Sequence, residues 1–160
     1  MKSFRSCAPP GRFAGFTLVE IMIVVVIIGL LAAMALPAFG RVRQKSHNAR
    51  FISDLRTFAQ AFETYTTQNG GWPANAGTGV VPTGMNASDF NVSAWTTRQN
   101  SVGGRWNWDR NLNVTAGIST TSVTASDAQM TVIDAQIDDG DLTTGLFQKF
   151  GTRFTYILEP

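Results

Sequence analysis

The sequence predicts an α+β fold: one long N-terminal helix, a long connecting loop, a short second helix and a small C-terminal antiparallel sheet. Three observations carry this. Ile21–Leu36 is sixteen residues without a charge or a strongly polar group. From Arg41 onward the apolar positions Ile52, Leu55, Phe58, Ala59, Phe62 and Tyr65 recur at three- and four-residue spacing, the period of one helix face. Near the end of the chain, Leu146–Lys149 and Arg153–Leu158 read as two strands joined around Gly151, a closing hairpin.

The first element is apolar on every side. Extending the run to Phe16–Phe39 gives 24 residues whose single charge is Glu20. A bilayer core needs about 20 apolar residues at roughly 1.5 Å each, so this stretch is long enough to span one. A lone carboxylate in such a span costs from about 2.5 kcal/mol upward and therefore asks for a partner. Gly29, Pro37 and Gly40 interrupt the pattern. Pro37 has no amide to give the carbonyl of Ala33, so Gly29 and Pro37 mark the expected kink or loosening.

The amphipathic continuation places Arg43, Lys45, Arg50, Asp54, Arg56 and Glu63 on the solvated side. Asn69-Gly70-Gly71 supplies a stop, with Pro73 just beyond. Phe16 to Asn69 then forms one interrupted helix of about 80 Å at roughly 1.5 Å per residue. Its second half packs against the C-terminal head.

The order Gly15-Phe-Thr-Leu-Val-Glu20 followed by an apolar helix resembles the class III signal of type IV pilins and type II secretion pseudopilins. That resemblance implies a prepilin peptidase that cuts between Gly15 and Phe16 and methylates the new Phe16 amine. It also implies that Glu20 reaches the amine of a neighbouring copy in a helical filament. The helix stretch between Gly29 and Pro37 is often melted in filaments of this family. The other implied partners are an inner-membrane assembly platform and, before assembly, membrane lipid. The implied location is the bacterial inner membrane, single-pass, with the C-terminal domain periplasmic or extracellular, and then the pilus or pseudopilus. After cleavage, the Phe16 amine at the helix N-terminus suits a carboxylate one turn away, through the dipole and an i,i+4 pairing.

Domain boundaries follow: 1–15 leader, 16–40 membrane or filament-core half-helix, 41–69 amphipathic half-helix, 70–160 head. The leader has Lys2, Arg5 and Arg12, no acid and no apolar core of its own. In an ordinary secretory signal the apolar region precedes the cut; here it follows, so the processed chain stays membrane-held. Lys2, Arg5 and Arg12 are balanced by Arg41, Arg43 and Lys45 beyond the span. Loop charge therefore leaves orientation open, and the resemblance decides for the N-terminus inside.

Formal charge is +2 for the whole chain, but without the leader 10 basic residues face 11 acidic ones. The basic balance thus belongs to the leader and says nothing strong about nucleic acid. The only cysteine, Cys7, also lies there, so the processed chain holds no disulfide and no cysteine metal site. The lack of a C-terminal cysteine pair speaks mildly against a disulfide-looped adhesion pilin.

Residues 70–104 are rich in Gly, Asn, Ser and Thr and read as the connecting loop, anchored by Trp72 and Trp95. Short strands are expected at Arg105–Asp109 and Leu112–Ile118. Ser126 and Gln129 fit a capping box. Met130, Ile133 and Ile137 share one face, predicting a helix over Asp127–Asp138.

Asp138, Asp139 and Asp141 form an acidic cluster around Gly140, with hard oxygen ligands suited to calcium. Some major pseudopilins bind calcium in a C-terminal loop, but their loop pattern is not clearly reproduced. Asp-Gly pairs are also ordinary turn formers, and a turn is the favoured reading, so no cofactor is expected beyond that calcium candidate.

Trp95, Arg98, Arg105, Trp106, Trp108 and Arg110 mix aromatic and basic residues, as single-strand binders do. Alternating Trp106 and Trp108 equally suit one strand face over the long helix, and this core reading is favoured. His47 reads as a surface residue. Sequons at Asn86, Asn91 and Asn113 are expected by chance in so Asn- and Ser-rich a segment. No Ser/His/Asp set, His or Cys ligand cluster or phosphate loop supports catalysis.

The function expected is a structural filament subunit, not an enzyme, in a type II secretion pseudopilus or a type IV pilus-like fibre. A DNA-uptake or adhesion pilin, and a single-pass anchored binding module that never polymerises, are the alternatives.

Overall fold

The computed structural model describes residues 15–85, 88, 90–96 and 99–160. The leader basic residues, Cys7, Asn86 and Arg98 lie outside them. The chain forms two compact units, one ending at Val42 and the other comprising Arg43–Pro160. Helix α1, Leu18–Asn69, contributes to both.

In the first unit α1 runs through Gly29 and Pro37 without leaving helical geometry. Every described residue of this unit is exposed, including Ile21, Val24, Ile27, Leu30 and Leu31. A helix this apolar is long and apolar enough to cross a membrane. Its side chains find no apolar cover among the described residues.

In the second unit α1 becomes one-sided. Phe51, Ile52, Leu55, Phe58, Ala59 and Phe62 are buried while Arg50, Arg56 and Glu63 face water, as the three- and four-residue spacing requires. Gly70 closes the helix at φ +73°, where its amide bonds the carbonyl of Thr66 at 2.8 Å. That left-handed step suits glycine, because a Cβ would crowd the following carbonyl.

The sheet has four antiparallel strands: β1 (Arg105–Arg110), β2 (Ala116–Thr121), β3 (Phe147–Phe150) and β4 (Arg153–Glu159). Their spatial order is β1-β2-β4-β3. Trp106 and Trp108 share one face of β1 and enter the core. Trp106 stacks on Phe51 at 4.9 Å, Phe58 meets Trp106 edge-on at 5.2 Å, and Phe62 stacks on Trp108. Phe147, opposite Tyr156 on the same face, extends the core toward β3.

The connecting loop lies along the free edge of β1. Ala76 bridges Trp108, the Gly79 amide donates to the carbonyl of Trp106 at 2.8 Å, and the indole N–H of Trp108 donates to the carbonyl of Pro73. This covers an otherwise open strand edge. The loop also holds a five-residue helix, α2 (Val92–Thr96), which the composition did not signal. Asn91 starts it by accepting the Ala94 amide at 3.1 Å, and Trp95 from it is fully buried. Trp72 is only half-buried.

Two expectations shift. The second strand begins at Ala116 rather than Leu112, because Asn111 takes φ +53° and its amide closes on the Thr115 carbonyl at 3.1 Å. That left-handed step turns Asn111–Thr115 into the hairpin loop and leaves Leu112 exposed. Helix α3 spans Asp127–Ile137 with Ser126 as N-cap. Only half of the capping box forms: the Ser126 hydroxyl accepts the Gln129 amide, while the Gln129 side chain donates to Asn48 at 2.8 Å. The Gln129 side chain turns to the buried Asn48 rather than back to the exposed Ser126 amide, because an unmet buried acceptor is costlier than an amide left to water.

The outer face of β1 is polar yet buried. Asp109 accepts from Asn107 at 2.6 Å, from Ser119, and from Arg153 at 2.8 Å. Ser119 also pairs with Thr155 at 2.9 Å across to β4.

Candidate functional site

The segment Gly15-Phe-Thr precedes α1 in non-helical conformation, with all three residues exposed. Among the described residues nothing asks for glycine at position 15. A Cβ there would meet no atom within 4 Å, and its φ lies outside the left-handed region. Gly29 is equally unencumbered, although a glycine inside a helix costs about 1 kcal/mol relative to alanine.

Thr17 and Glu20 form a complete capping box at the start of α1. The Thr17 amide donates to Glu20 Oε2 at 2.7 Å, the Thr17 hydroxyl donates to the same oxygen at 2.9 Å, and the Glu20 amide donates to Thr17 Oγ1 at 3.2 Å. This reciprocal pairing fixes the glutamate rotamer at the positive end of the helix. Both bonds land on Oε2, which holds the carboxylate beside the Thr17 amide. The T-x-x-E spacing is the sequence signal for this box. Phe16 itself is 85% exposed.

The acidic group assembles differently from its sequence order. Asp134, Asp138 and Asp139 each place a carboxylate oxygen within 4.8 Å of the other two. Asp141 turns its carboxylate onto Thr143, accepting from the amide at 3.0 Å and the hydroxyl at 2.7 Å. Asp134 had no sequence signal beyond its i,i+4 and i,i+5 relation to the pair, which puts the three on one side of the helix end. It is fully buried, and neither oxygen has a hydrogen-bond partner among the described residues. Burial first, then the charges of Asp139 and Asp138, push its carboxyl up to about 6; the Gly140 amide opposes this without closing a hydrogen bond.

The mixed aromatic and basic stretch does not present its rings. Trp95, Trp106 and Trp108 are buried, so their faces are closed to stacking bases. Arg110 donates to the carbonyl of Trp72. His47 Nε2 accepts from Arg43 at 3.4 Å, and the Asn91 and Asn113 sequons are exposed.

An apolar half-helix exposed on every side, a capped glutamate at its foot and a compact helix-on-sheet head define a membrane-competent class of protein. The family described as the prokaryotic N-terminal methylation motif matches residues 11–36. The type IV major pilin protein PilE of Neisseria gonorrhoeae is 30% identical over 158 residues, covering 81% of this chain and 88% of that one. The chain belongs to the family of type IV pilins and type II secretion pseudopilins. The fimbrial protein EcpC of Eikenella corrodens is 41% identical over 70 residues, 43% of this chain and 46% of that one. The type II secretion system core protein G of Aeromonas hydrophila is 34% identical over 62 residues, 39% of this chain and 43% of that one. The chain thus spans less than half the length of these last two relatives. No solved structure matches it.

Proposed function

We propose that this chain is a structural subunit of a type IV pilus-like or type II pseudopilus filament, processed by a prepilin peptidase and assembled from the inner membrane. The single observation that carries the reading is Glu20, capped by Thr17 at the foot of the exposed apolar first half of α1. A carboxylate held there in a fixed rotamer is a poor choice for a passive anchor and a good one for meeting a cation in an apolar setting. Cleavage between Gly15 and Phe16 creates that cation at the N-terminus of each copy, with methylation at the Phe16 amine.

In this reading, residues 1–15 are the leader, 16–40 the filament core, 41–69 the amphipathic half that carries the head, and 70–160 the head. The partners are the peptidase and methyltransferase, other copies of this or a related pilin, an assembly platform and, before extraction, lipid. The chain is single-pass with its head outside the cytoplasm. Gly29 and Pro37 are the positions where the helix loosens on assembly. The role is structural, not enzymatic.

Mass spectrometry of the N-terminus of the membrane-extracted protein tests the reading. A methylated Phe16 is expected, and an intact leader in a host with active prepilin peptidase would sink it.

A further inference from the structure

Between Glu20 and Asp54 the chain carries no acid, and its first cations there are Arg41, Arg43 and Lys45, directly beyond the apolar run that ends at Phe39. All three are exposed. None belongs to an ion pair among the described residues, where the pairs are Lys149–Asp127 and Arg153–Asp109. Arg43 donates from Nε to His47 Nε2 at 3.4 Å, which leaves both terminal nitrogens of its guanidinium open. Arg41 and Lys45, four residues apart on α1, are a like-charged pair of the kind that weakens a helix. The group asks for an anion from outside the chain.

We propose that Arg41, Arg43 and Lys45 form a collar that binds the phosphate groups of anionic phospholipid before the subunit leaves the membrane. This rests on the reading of residues 16–40 as membrane-held. The heights fit the headgroup layer. A hydrocarbon core about 30 Å thick lies within a bilayer of about 40–45 Å, so each headgroup layer is about 5–7 Å deep. Counted from Phe39 at roughly 1.5 Å per residue, Arg41, Arg43 and Lys45 stand about 3, 6 and 9 Å above the core edge. Their long side chains bring the charge to the phosphates. Arg50 stands about 16 Å up, more than a Debye length of about 8 Å beyond the headgroups, and Asp54 already faces its charge.

The spread of the cations around the helix separates lipid from protein as the occupant. At about 100° per residue, Arg41 and Lys45 fall about 40° apart while Arg43 falls on the opposite side. A headgroup layer encircles a helix and meets both sides, whereas a second copy docks on one. The guanidinium forks suit the paired oxygens of a phosphodiester. Net charge decides between headgroups: phosphatidylglycerol leaves its phosphate uncompensated, and phosphatidylcholine carries its own cation. The collar sets the height of the waiting subunit, and its contacts are surrendered when the subunit is drawn out of the bilayer.

Native mass spectrometry of the full chain in detergent micelles, titrated with phosphatidylglycerol or phosphatidylcholine of matched acyl chains, tests this. All proteins carry Lys2→Gln, Arg5→Gln and Arg12→Gln, so that the leader's own cations do not contribute. Each cation beside an anionic surface is worth about fivefold in binding, so phosphatidylglycerol should bind at least about tenfold more tightly than phosphatidylcholine. Adding Arg41→Gln, Arg43→Gln and Lys45→Gln should bring the two lipids within about threefold of each other, while adding Arg50→Gln alone should change the preference by less than about twofold. These side chains are exposed, so the head should melt unchanged in every variant. Equal binding of the two lipids, a preference that survives the collar variant, an Arg50→Gln loss as large as the collar's, or displacement of the lipid by excess inorganic phosphate would each overturn the proposal. So would collar-dependent self-association without a lipid preference, which would give the cations to a second copy. Flotation with phosphatidylcholine vesicles separates the two readings. A chain that does not float sinks the membrane reading and the collar with it, whereas a chain that floats without headgroup preference sinks the collar alone.

Discussion

The indole of Trp108 lies flat on the ring of Phe62, with centroids 3.9 Å apart and planes 8° from parallel. One residue comes from the long helix and the other from the first strand, and both are fully buried. This stack, with that of Phe51 on Trp106, fixes the register between helix and sheet. Phe62→Ala is expected to destabilise the head by about 3–5 kcal/mol, the usual cost of emptying an aromatic site. Phe62→Leu should cost about half as much. Urea unfolding of the intact chain in micelles, followed by tryptophan fluorescence, measures both; a loss below about 1 kcal/mol for Phe62→Ala would contradict this packing.

Much of that arrangement was legible because its signals are local. The 52-residue helix, its Asn-Gly-Gly stop, the short capped helix and the closing hairpin each announce themselves within a few residues. The pairing of Trp106 and Trp108 on one face followed from the strand period. The buried Asn107–Asp109–Ser119–Arg153 group was not legible, since its members meet only when β1, β2 and β4 come together. Asp134 was hidden for a related reason: a carboxylate at a helix end looks solvated until the following loop folds over it. The N-terminal motif was readable as a whole, whereas the Thr17–Glu20 box inside it was overlooked.

Gly15 and Phe16 are exposed, and among the described residues nothing lies within 4 Å of a side chain's Cβ at position 15. Gly15→Leu should therefore leave the melting temperature unchanged and block removal of the leader. Immunoblotting for the precursor in cells with active prepilin peptidase gives the answer. A mature N-terminus at Phe16 in this variant would refute the cleavage site.

The capping box separates two roles of Glu20. Glu20→Val should leave leader removal largely intact and reduce filament yield by an order of magnitude or more. Thr17→Val keeps the carboxylate but removes the hydroxyl that anchors it, at a cost of about 1 kcal/mol to the helix start; its filament yield should fall between wild type and Glu20→Val. Electron microscopy of sheared filaments reads the series. Normal filaments from Glu20→Val would remove the assembly role.

Asp109 is buried and Arg153 is its one cationic partner among the described residues, 2.8 Å away and itself partly exposed. Removing the guanidinium leaves a buried carboxylate with only Asn107 and Ser119 to solvate it. Arg153→Met should cost about 2–4 kcal/mol, while the double variant Arg153→Met with Asp109→Asn recovers more than half of that. A double variant no more stable than the single one would show that the charge is not what matters.

Asp54 sits half-buried on the amphipathic part of α1, and burial raises its carboxyl above the ordinary value against the opposing pull of Arg50. A carboxyl raised in the folded state binds its proton more tightly there than in the unfolded chain. Its favourable contribution is therefore complete below the unfolded value of about 3.9 and is lost as pH rises through the higher folded value. At neutral pH the ionised group is held where water is scarce. Asp54→Asn should accordingly stabilise the chain at pH 7, by up to about 0.5 kcal/mol for so partly exposed a site. At pH 3, where both side chains are neutral, the gain should vanish. Thermal melts of the two proteins across this range decide it. An Asn variant that melts lower at pH 7, or gains as much at pH 3 as at pH 7, would show that desolvation of Asp54 does not govern its titration.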